Sequence, residues 1–315
     1  MRQIEKIVFM GTPEFAVPAL IQLIATNRKP HLVITQPDRK KGRGQKVTFT
    51  PVKKIALENN IEVFQPDSVN ISSSLEKIKT LNPDLIVTTA YGKILRGRIL
   101  SIPQYGCINL HPSLLPRYRG PSPINWSLFN GDQVTGSTVF YMNNHMDAGE
   151  IILQSRIAIQ YNDTYTSLSE KLSEKGAKDL IEAISLIEQG NDSPAPQNDR
   201  NATYSRLITR EMCKIKWHNT ADQINNQIRG LAERPGAFSY LKGKEIKILH
   251  AVPTIQEHSS VGKVVGIEKF EGFYVSTGYR LLLVKEVKPQ GKKVMTAYNY
   301  SLGANIIDET FTDTP

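Results

Sequence analysis

The chain has 315 residues, 40% of them apolar, which is enough for two domains with a core each. No stretch is apolar for long enough to form a leader or a membrane span, and Cys107 and Cys213 stand far apart without other metal-ligand residues at suitable spacing. A cytoplasmic protein with no membrane anchor, no metal and two reduced, buried, idle thiols is therefore expected. The net charge of +9 is segregated: residues 39–54 hold seven Lys and Arg and no acid, and residues 209–315 hold fifteen bases against eleven acids. Such a distribution suits a polyanionic partner, nucleic acid before others.

In chain order, apolar runs at 6–10, 31–35, 85–90 and 107–110 alternate with amphipathic stretches at 15–25 and 52–59. This βαβα rhythm predicts an α/β fold, a Rossmann-like, mostly parallel sheet wrapped by helices. A longer amphipathic stretch, 166–189, predicts a helix, after which Gly, Pro, Asn, Asp and Ser crowd together. The predicted organisation is a catalytic domain over 1–189, a linker over 190–208 and a C-terminal domain over 209–315. In the last, 221–231 reads as a helix, and 245–252, 262–267, 272–277 and 280–284 read as period-two strands with Gly turns. These suggest a β-barrel of the oligonucleotide-binding type, with a sandwich as the alternative.

An open parallel sheet binds ligands beyond the carboxyl ends of its strands. After the first strand, Gly11-Thr12-Pro13 lacks the G-x-G-x-x-G spacing of a dinucleotide site and reads as a tight turn, so a nicotinamide oxidoreductase is poorly supported. Another apolar strand ends in Asn109 and His111, which share one face because they are two residues apart, while Ile108 and Leu110 enter the core. Taken alone, the pair fits a catalytic site or a strand cap with a satisfied buried amide. A third place, 143–151, supplies Asp147 beside Gly149, so that a donor, an acid/base and an orienting carboxylate can converge.

At this point the chain resembles the folate-dependent formyltransferases. The resemblance rests on Asn109-Leu110-His111-Pro112-Ser113-Leu114-Leu115-Pro116 with Arg119-Gly120, and on Met146-Asp147-Ala148-Gly149. Gly11-Thr12-Pro13-Glu14-Phe15, Gln36-Pro37-Asp38-Arg39, Pro51-Val52-Lys53, Arg229-Gly230-Leu231 and Pro235-Gly236-Ala237 are similar to the branch of that family that acts on a charged tRNA. A local departure is Pro121-Ser122-Pro123, where the family often has two small residues before a proline.

The resemblance implies 10-formyltetrahydrofolate as cosubstrate, initiator methionyl-tRNA as acceptor and a monomer. It makes Asn109, His111 and Asp147 the catalytic trio and Ser113, Leu114, Leu115 and Pro116 the folate contacts, while the residue chemistry gives Asp147 the role of orienting His111. Tyr91 and Gly92, at the end of another strand, suit the same flat, partly apolar ligand, although Tyr91 equally suits an ordinary packed aromatic. The basic segment with Arg39, Lys40, Lys41, Arg43 and Lys46 is the expected tRNA contact, and Lys242, Lys244, Lys247, Lys285, Lys288, Lys292 and Lys293 the expected phosphate grip. Two rival readings are a formyltransferase for a small amine, a purine precursor or an amino sugar, and a noncatalytic RNA-binding protein.

Overall fold

In the computed structural model, which describes residues 2–41 and 46–314, the chain opens with β1 (Ile7–Gly11), buried along its whole length. There follow α1 (Val17–Ala25), β2 (Leu32–Ile34), β3 (Arg39–Lys41), β4 (Lys46–Thr48), α2 (Pro51–Glu58), β5 (Glu62–Phe64), α3 (Ser72–Leu81), β6 (Leu85–Thr89) and β7 (Cys107–His111). After these come α4 (Pro123–Phe129), β8 (Val134–Tyr141), β9 (Ile151–Ala158) and α5 (Tyr165–Gln189). Seven strands form one sheet in the order β5-β2-β1-β6-β7-β8-β9. The first five run parallel, and β8 and β9 are added antiparallel. The expected Rossmann-like architecture is what is found.

The alternation of side chains along β1 explains why every position is buried. Ile7 and Phe9 face a core with Leu20 and Leu23 of α1 and Leu180 and Ile184 of α5, whereas Val8 and Met10 face a second core with Ile78 of α3. Each fully buried Leu or Ile contributes roughly 1.5–3 kcal/mol of transfer free energy, before the cost of ordering the chain. Helix starts are marked by sequence: Thr50 accepts a hydrogen bond from Lys53 N at 3.2 Å ahead of Pro51 in the first turn of α2. Gly11 is required by packing, since a Cβ there would lie 2.8 Å from Ala16 Cβ and from Phe9 Cε1.

Chain direction across the sheet reverses beside β1: the path runs outward through β2 and β5, then returns to β6 on the other side. The switch point therefore lies between β1 and β6, with β7 next, and this is where such a sheet leaves a crevice. The described parts of the basic segment pair as two antiparallel strands, Arg39 opposite Thr48 and Lys41 opposite Lys46.

The second part of the chain holds α6 (Ala221–Leu231), β10 (Ala237–Leu241), β11 (Lys244–Pro253), β12 (Val264–Glu268), β13 (Gly272–Ser276), β14 (Leu281–Pro289), β15 (Met295–Thr296) and α7 (Ala297–Ala304). Its sheet is antiparallel in the order β10-β11-β14-β13-β12, with β15 on β14. The C-terminal segment bridges the two free edges, pairing Thr312 with Tyr240 of β10 and Thr310 with Lys263 ahead of β12, so the five strands are closed in the manner of a small barrel. Trp217, Ile228, Phe238, Ile248, Phe273, Val284 and Phe311 fill it. Thr220 and Gln223 form a capping box at the start of α6.

Backbone contacts divide the chain into one unit of 1–123, 134–158 and 169–205 and another of 124–133, 159–168 and 206–315. The two short insertions belong with the barrel: Asn125 Nδ2 donates to Gly230 O at 2.7 Å, Trp126 Nε1 donates to Arg206 O at 2.9 Å, a Cβ on Gly230 would lie 2.7 Å from the Phe129 ring, and Arg229 Nη1 donates to Asp163 O at 3.2 Å. Residues 195–205, rich in turn formers, lie on the first unit, with Ala195 paired to Ile151 and Tyr204 to Arg119. Both cysteines are free and buried, and burial pushes the Cys107 thiol up to about 12. No helix among the described residues is long and apolar enough to cross a membrane.

Candidate active site

At the carboxyl end of β7, Ile108 and Leu110 lie in the core shared with Val87 and Val139, while Cys107 lies in the core on the opposite face. Asn109 and His111 have the parity of Cys107 and share its face. Asn109 is half-buried and sits in register with Thr88 of β6. The Thr88 hydroxyl donates to Asn109 Oδ1 at 2.7 Å, its shortest contact. A carboxamide whose oxygen is already engaged presents its NH2 group to whatever lies in front of it, so Asn109 is set up as a hydrogen-bond donor.

His111 is 5% exposed, and its Nε2 stands 2.9 Å from Tyr118 O. A carbonyl oxygen only accepts, so Nε2 carries a hydrogen and Nδ1 is the nitrogen free to gain or lose a proton. Nδ1 points at Asp147 Oδ2 across 3.8 Å, too far for a hydrogen bond and close enough for charge to matter. The hydrogen bond that orients the ring thus comes from the Tyr118 main chain, whereas Asp147, expected from the residue chemistry to orient it, stands 3.8 Å away.

Asp147 occupies the left-handed region at φ +51°, which Asp tolerates better than most residues. Its Oδ2 accepts from Gly120 N at 2.7 Å. Gly120 is at φ +112°, and a Cβ there would lie 2.5 Å from Ser205 O, so only glycine brings that amide to the carboxylate. Three side chains from two separated segments are thereby brought together: one neutral donor, one imidazole with a free nitrogen and one carboxylate. Such a set can stabilise a developing oxyanion and carry a proton. Among the described residues no group of three His, Cys, Asp or Glu is placed to hold a metal ion.

The segment 113–116 packs on the middle of β8 and β9, at Thr138 and Gln154. Ser113 is fully buried and spends its hydroxyl on Arg117 O at 2.6 Å, while Thr138 Oγ1 donates to Ser113 O at 2.6 Å and accepts from Leu115 N at 3.2 Å. Gln154 Nε2 donates to Leu115 O at 3.0 Å. Ser113 and Leu115 therefore face the fold, and Leu114 and Pro116 keep exposed surface. The Tyr91 ring is packed in the core with Met10, Ile34 and Leu95, its hydroxyl has no partner among the described residues, and burial pushes it up to about 12. What Tyr91 offers the switch point is its carbonyl, which accepts from Thr12 Oγ1 at 2.9 Å. Gly92, at φ +84°, has open space around it.

Arg39 is exposed, Lys40, Lys41 and Lys46 lie on β3 and β4, and Arg43 lies outside the described residues. Just ahead of β3, Asp38 is held by Lys53, whose Nζ donates to Asp38 Oδ2 at 2.5 Å and to Gln65 Oε1 at 2.6 Å. Burial pushes the Asp38 carboxyl up, but hydrogen bonds from Lys53 and Gln65 and the Lys53 charge outweigh it and hold the group below its ordinary value. In the barrel, Lys242, Lys247 and Lys285 are committed to Glu309, Pro235 O and Glu271. Lys244, Lys288, Lys292 and Lys293 are exposed, and among the described residues they enter no ion pair. Sequence reasoning missed Thr88 and Thr138, which act on the site across 21 and 25 residues and so leave no local pattern, and Tyr118, which acts through a main-chain carbonyl that no side-chain pattern reports.

The profile of the formyl transferase family matches residues 5–184, and that of the formyl transferase C-terminal domain matches residues 207–305. A protein of Bacillus subtilis named methionyl-tRNA formyltransferase is 43% identical over 306 residues, 96% of this chain and 95% of its own length. One of the same name from Caldanaerobacter subterraneus is 42% identical over 309 residues, 97% of this chain and 99% of its own. Among solved structures, an N-formyltransferase from Helicobacter canadensis, in complex with folinic acid and dTDP-3-aminofucose, superposes with a TM-score of 0.68 at 22% identity over 89% of this chain and 99% of its own. HypX from Aquifex aeolicus, in complex with tetrahydrofolic acid, superposes with a TM-score of 0.66 at 15% identity over 95% of this chain and 47% of its own. With both profiles matched and relatives this similar along its length, the chain belongs to the formyl transferase family.

Proposed function

We propose that the protein transfers the formyl group of 10-formyltetrahydrofolate to the α-amino group of initiator methionyl-tRNA, yielding the N-formylated aminoacyl-tRNA used to begin translation. The observation that carries this reading is the convergence of Asn109, His111 and Asp147 at the end of β7, in a chain 42–43% identical along its length to proteins named methionyl-tRNA formyltransferase. We place catalysis in 1–189, with 190–208 as the connection and 209–315 as the tRNA-holding domain, in a protein that acts as a monomer in the cytoplasm.

The cosubstrate supplies an activated formyl carbon, and the protein's work is to position the amine, stabilise charge and move a proton. A free α-amino group titrates at roughly 7.7 and the neighbouring ester of an aminoacyl-tRNA lowers that, so much of the acceptor is already a neutral nucleophile near neutral pH and positioning matters more than deprotonation. As the amine nitrogen bonds to the formyl carbon, negative charge grows on the formyl oxygen, and the Asn109 NH2 group is the donor aimed at it. Breaking the bond to the folate nitrogen requires a proton there, while the amine gives one up. His111 Nδ1 carries that proton, with Asp147 as compensating charge and the Nε2 bond to Tyr118 O keeping the ring in place.

Ser113, Leu114, Leu115, Pro116, Tyr91 and Gly92 make up the proposed folate contact, Leu114 and Pro116 through their exposed surface and Tyr91 as the core aromatic beneath it. Arg39, Lys40, Lys41, Arg43 and Lys46 meet the acceptor end of the tRNA, and Lys244, Lys288, Lys292 and Lys293 grip phosphates further along it. The test is formyl transfer measured side by side on initiator methionyl-tRNA, elongator methionyl-tRNA and glycinamide ribonucleotide. Strong preference for the initiator is expected. Preference for the small amine would overturn the choice of acceptor, and no transfer to any of the three would overturn the enzymatic reading.

A further inference from the structure

Gln197 lies outside every motif that pointed to the site, in the stretch rich in Pro and Asn after α5. Its side-chain oxygen accepts from Arg119 Nε at 3.1 Å and from Arg119 Nη2 at 2.8 Å. Its nitrogen donates to Asp147 O at 2.9 Å and to Gly149 O at 2.8 Å. A guanidinium only donates and a carbonyl only accepts, so the amide has one possible orientation and uses all four of its bonds. The residue is a connector between the Arg119 turn and the loop that carries Asp147.

Both ends of the connector are firmly held. Arg119 is 4% exposed, its Nη2 reaches Asp199 Oδ1 at 2.8 Å, its N donates to Thr203 O at 2.8 Å, and its O accepts from Ser205 N at 2.7 Å. The next residue, Gly120, supplies the amide that holds the Asp147 carboxylate. Asp147 is thus supported twice from one turn, directly at its carboxylate and through Gln197 at its main chain. The second support matters because a non-glycine residue at φ +51° keeps that conformation only where its surroundings hold it.

We propose that Gln197 is a positioning residue for formyl transfer, which fixes the loop of Asp147 against the Arg119–Gly120 turn and so sets the 3.8 Å separation between His111 Nδ1 and Asp147 Oδ2. This inference rests on the catalytic reading of Asp147 and adds a residue that never touches substrate. Gln197→Glu separates its two roles. A glutamate still accepts from Arg119 but turns an oxygen toward the carbonyls of Asp147 and Gly149, so it keeps the structural arm and reverses the positioning arm. Gln197→Met removes both.

The experiment compares kcat, the KM values for folate and tRNA, and melting temperature in the full-length wild type, Gln197→Glu, Gln197→Met and Asp147→Asn. A displacement of about 1 Å away from the chemistry costs on the order of 10²-fold in rate, so Gln197→Glu should lose about that factor in kcat while both KM values stay within about twofold. Wild-type kcat in Gln197→Glu, beside losses of activity and melting temperature in Gln197→Met, would make Gln197 a structural partner of Arg119 only and overturn the proposal. Should the glutamate variant not fold, Gln197→Asn, uncharged and one methylene too short to span both ends, takes its place: reduced kcat at a native melting temperature supports the proposal and unchanged kcat overturns it. Full rate in Asp147→Asn would instead refute the reading of Asp147 itself, whereas loss there beside full rate in Gln197→Glu refutes only the role of Gln197.

Discussion

Replacing Asn109 with Asp tests the donor role more sharply than replacing it with Ala. Thr88 Oγ1 donates to Asn109 Oδ1 at 2.7 Å, and an aspartate accepts that bond equally well, so shape, register and the β6–β7 pairing are retained. What changes is the other end of the group: an NH2 donor becomes a carboxylate oxygen, facing the place where negative charge develops. Losing one such donor costs about 10²–10³ in kcat, or about 2.7–4 kcal/mol, which is the expectation for Asn109→Ala. Asn109→Asp adds repulsion and should be slower still. In stability the order is reversed, since Asn109→Ala forfeits a hydrogen bond worth about 1 kcal/mol and leaves Thr88 to find another acceptor, whereas Asn109→Asp keeps it. The assay is single-turnover transfer of labelled formyl groups at saturating substrates, with thermal unfolding alongside. An Asn109→Asp protein within about tenfold of the wild-type rate would refute the assignment, because a loss that small lies below the cost of removing even one donor.

Exchange of Lys244, Lys288, Lys292 and Lys293 for Gln should raise KM for tRNA, leave kcat in place and flatten the fall of affinity with salt by about one unit of log–log slope for each phosphate no longer gripped; tRNA binding titrated against salt checks it. Because the Asp38 carboxyl is held below its ordinary value in the folded protein, its contribution to stability is present above the unfolded value and is lost as pH falls through the folded one. Asp38→Asn should therefore destabilise at neutral pH and converge with wild type in acid, as unfolding curves across pH will report. Neither thiol should react with an alkylating reagent at pH 8 in the folded state, with Cys107 pushed up to about 12 by burial, and both should react in guanidinium.

How much of this was legible in the sequence depended on whether the cause was local. β1 and the Leu85–Val87 part of β6 are runs of apolar residues whose burial follows from composition, and the Asn109–His111 parity in β7 follows from strand geometry alone. α6 was legible to the residue because Thr220, Gln223 and the periodic Ile224 and Ile228 are all within one stretch. β8 was not: Thr135, Gly136, Ser137 and Thr138 form neither an apolar run nor an alternating pattern, yet each is buried. Ser137 bonds to Asp179 on α5, Thr138 to Ser113 O, and Gly136 sits where a Cβ would lie 1.9 Å from Ser155 O. The partners that make a buried hydroxyl acceptable are 25 to 42 residues away, beyond any window of periodicity. The same holds in the site, where Thr88 reaches Asn109 across 21 residues and Gln197 reaches Asp147 across 50. The turn formers between 190 and 205 announced irregular backbone correctly, but not that this backbone is pinned beside the carboxylate it supports.

The most direct test of the central claim is the identity of the amino acid released from initiator methionyl-tRNA after incubation with 10-formyltetrahydrofolate, read by mass for the wild type and for a folded His111→Ala protein. Conversion of methionine to N-formylmethionine by the wild type, with a rate at least about 10²-fold lower in His111→Ala, is the predicted result. Unmodified methionine with the wild type, or equal conversion by both proteins, would contradict it.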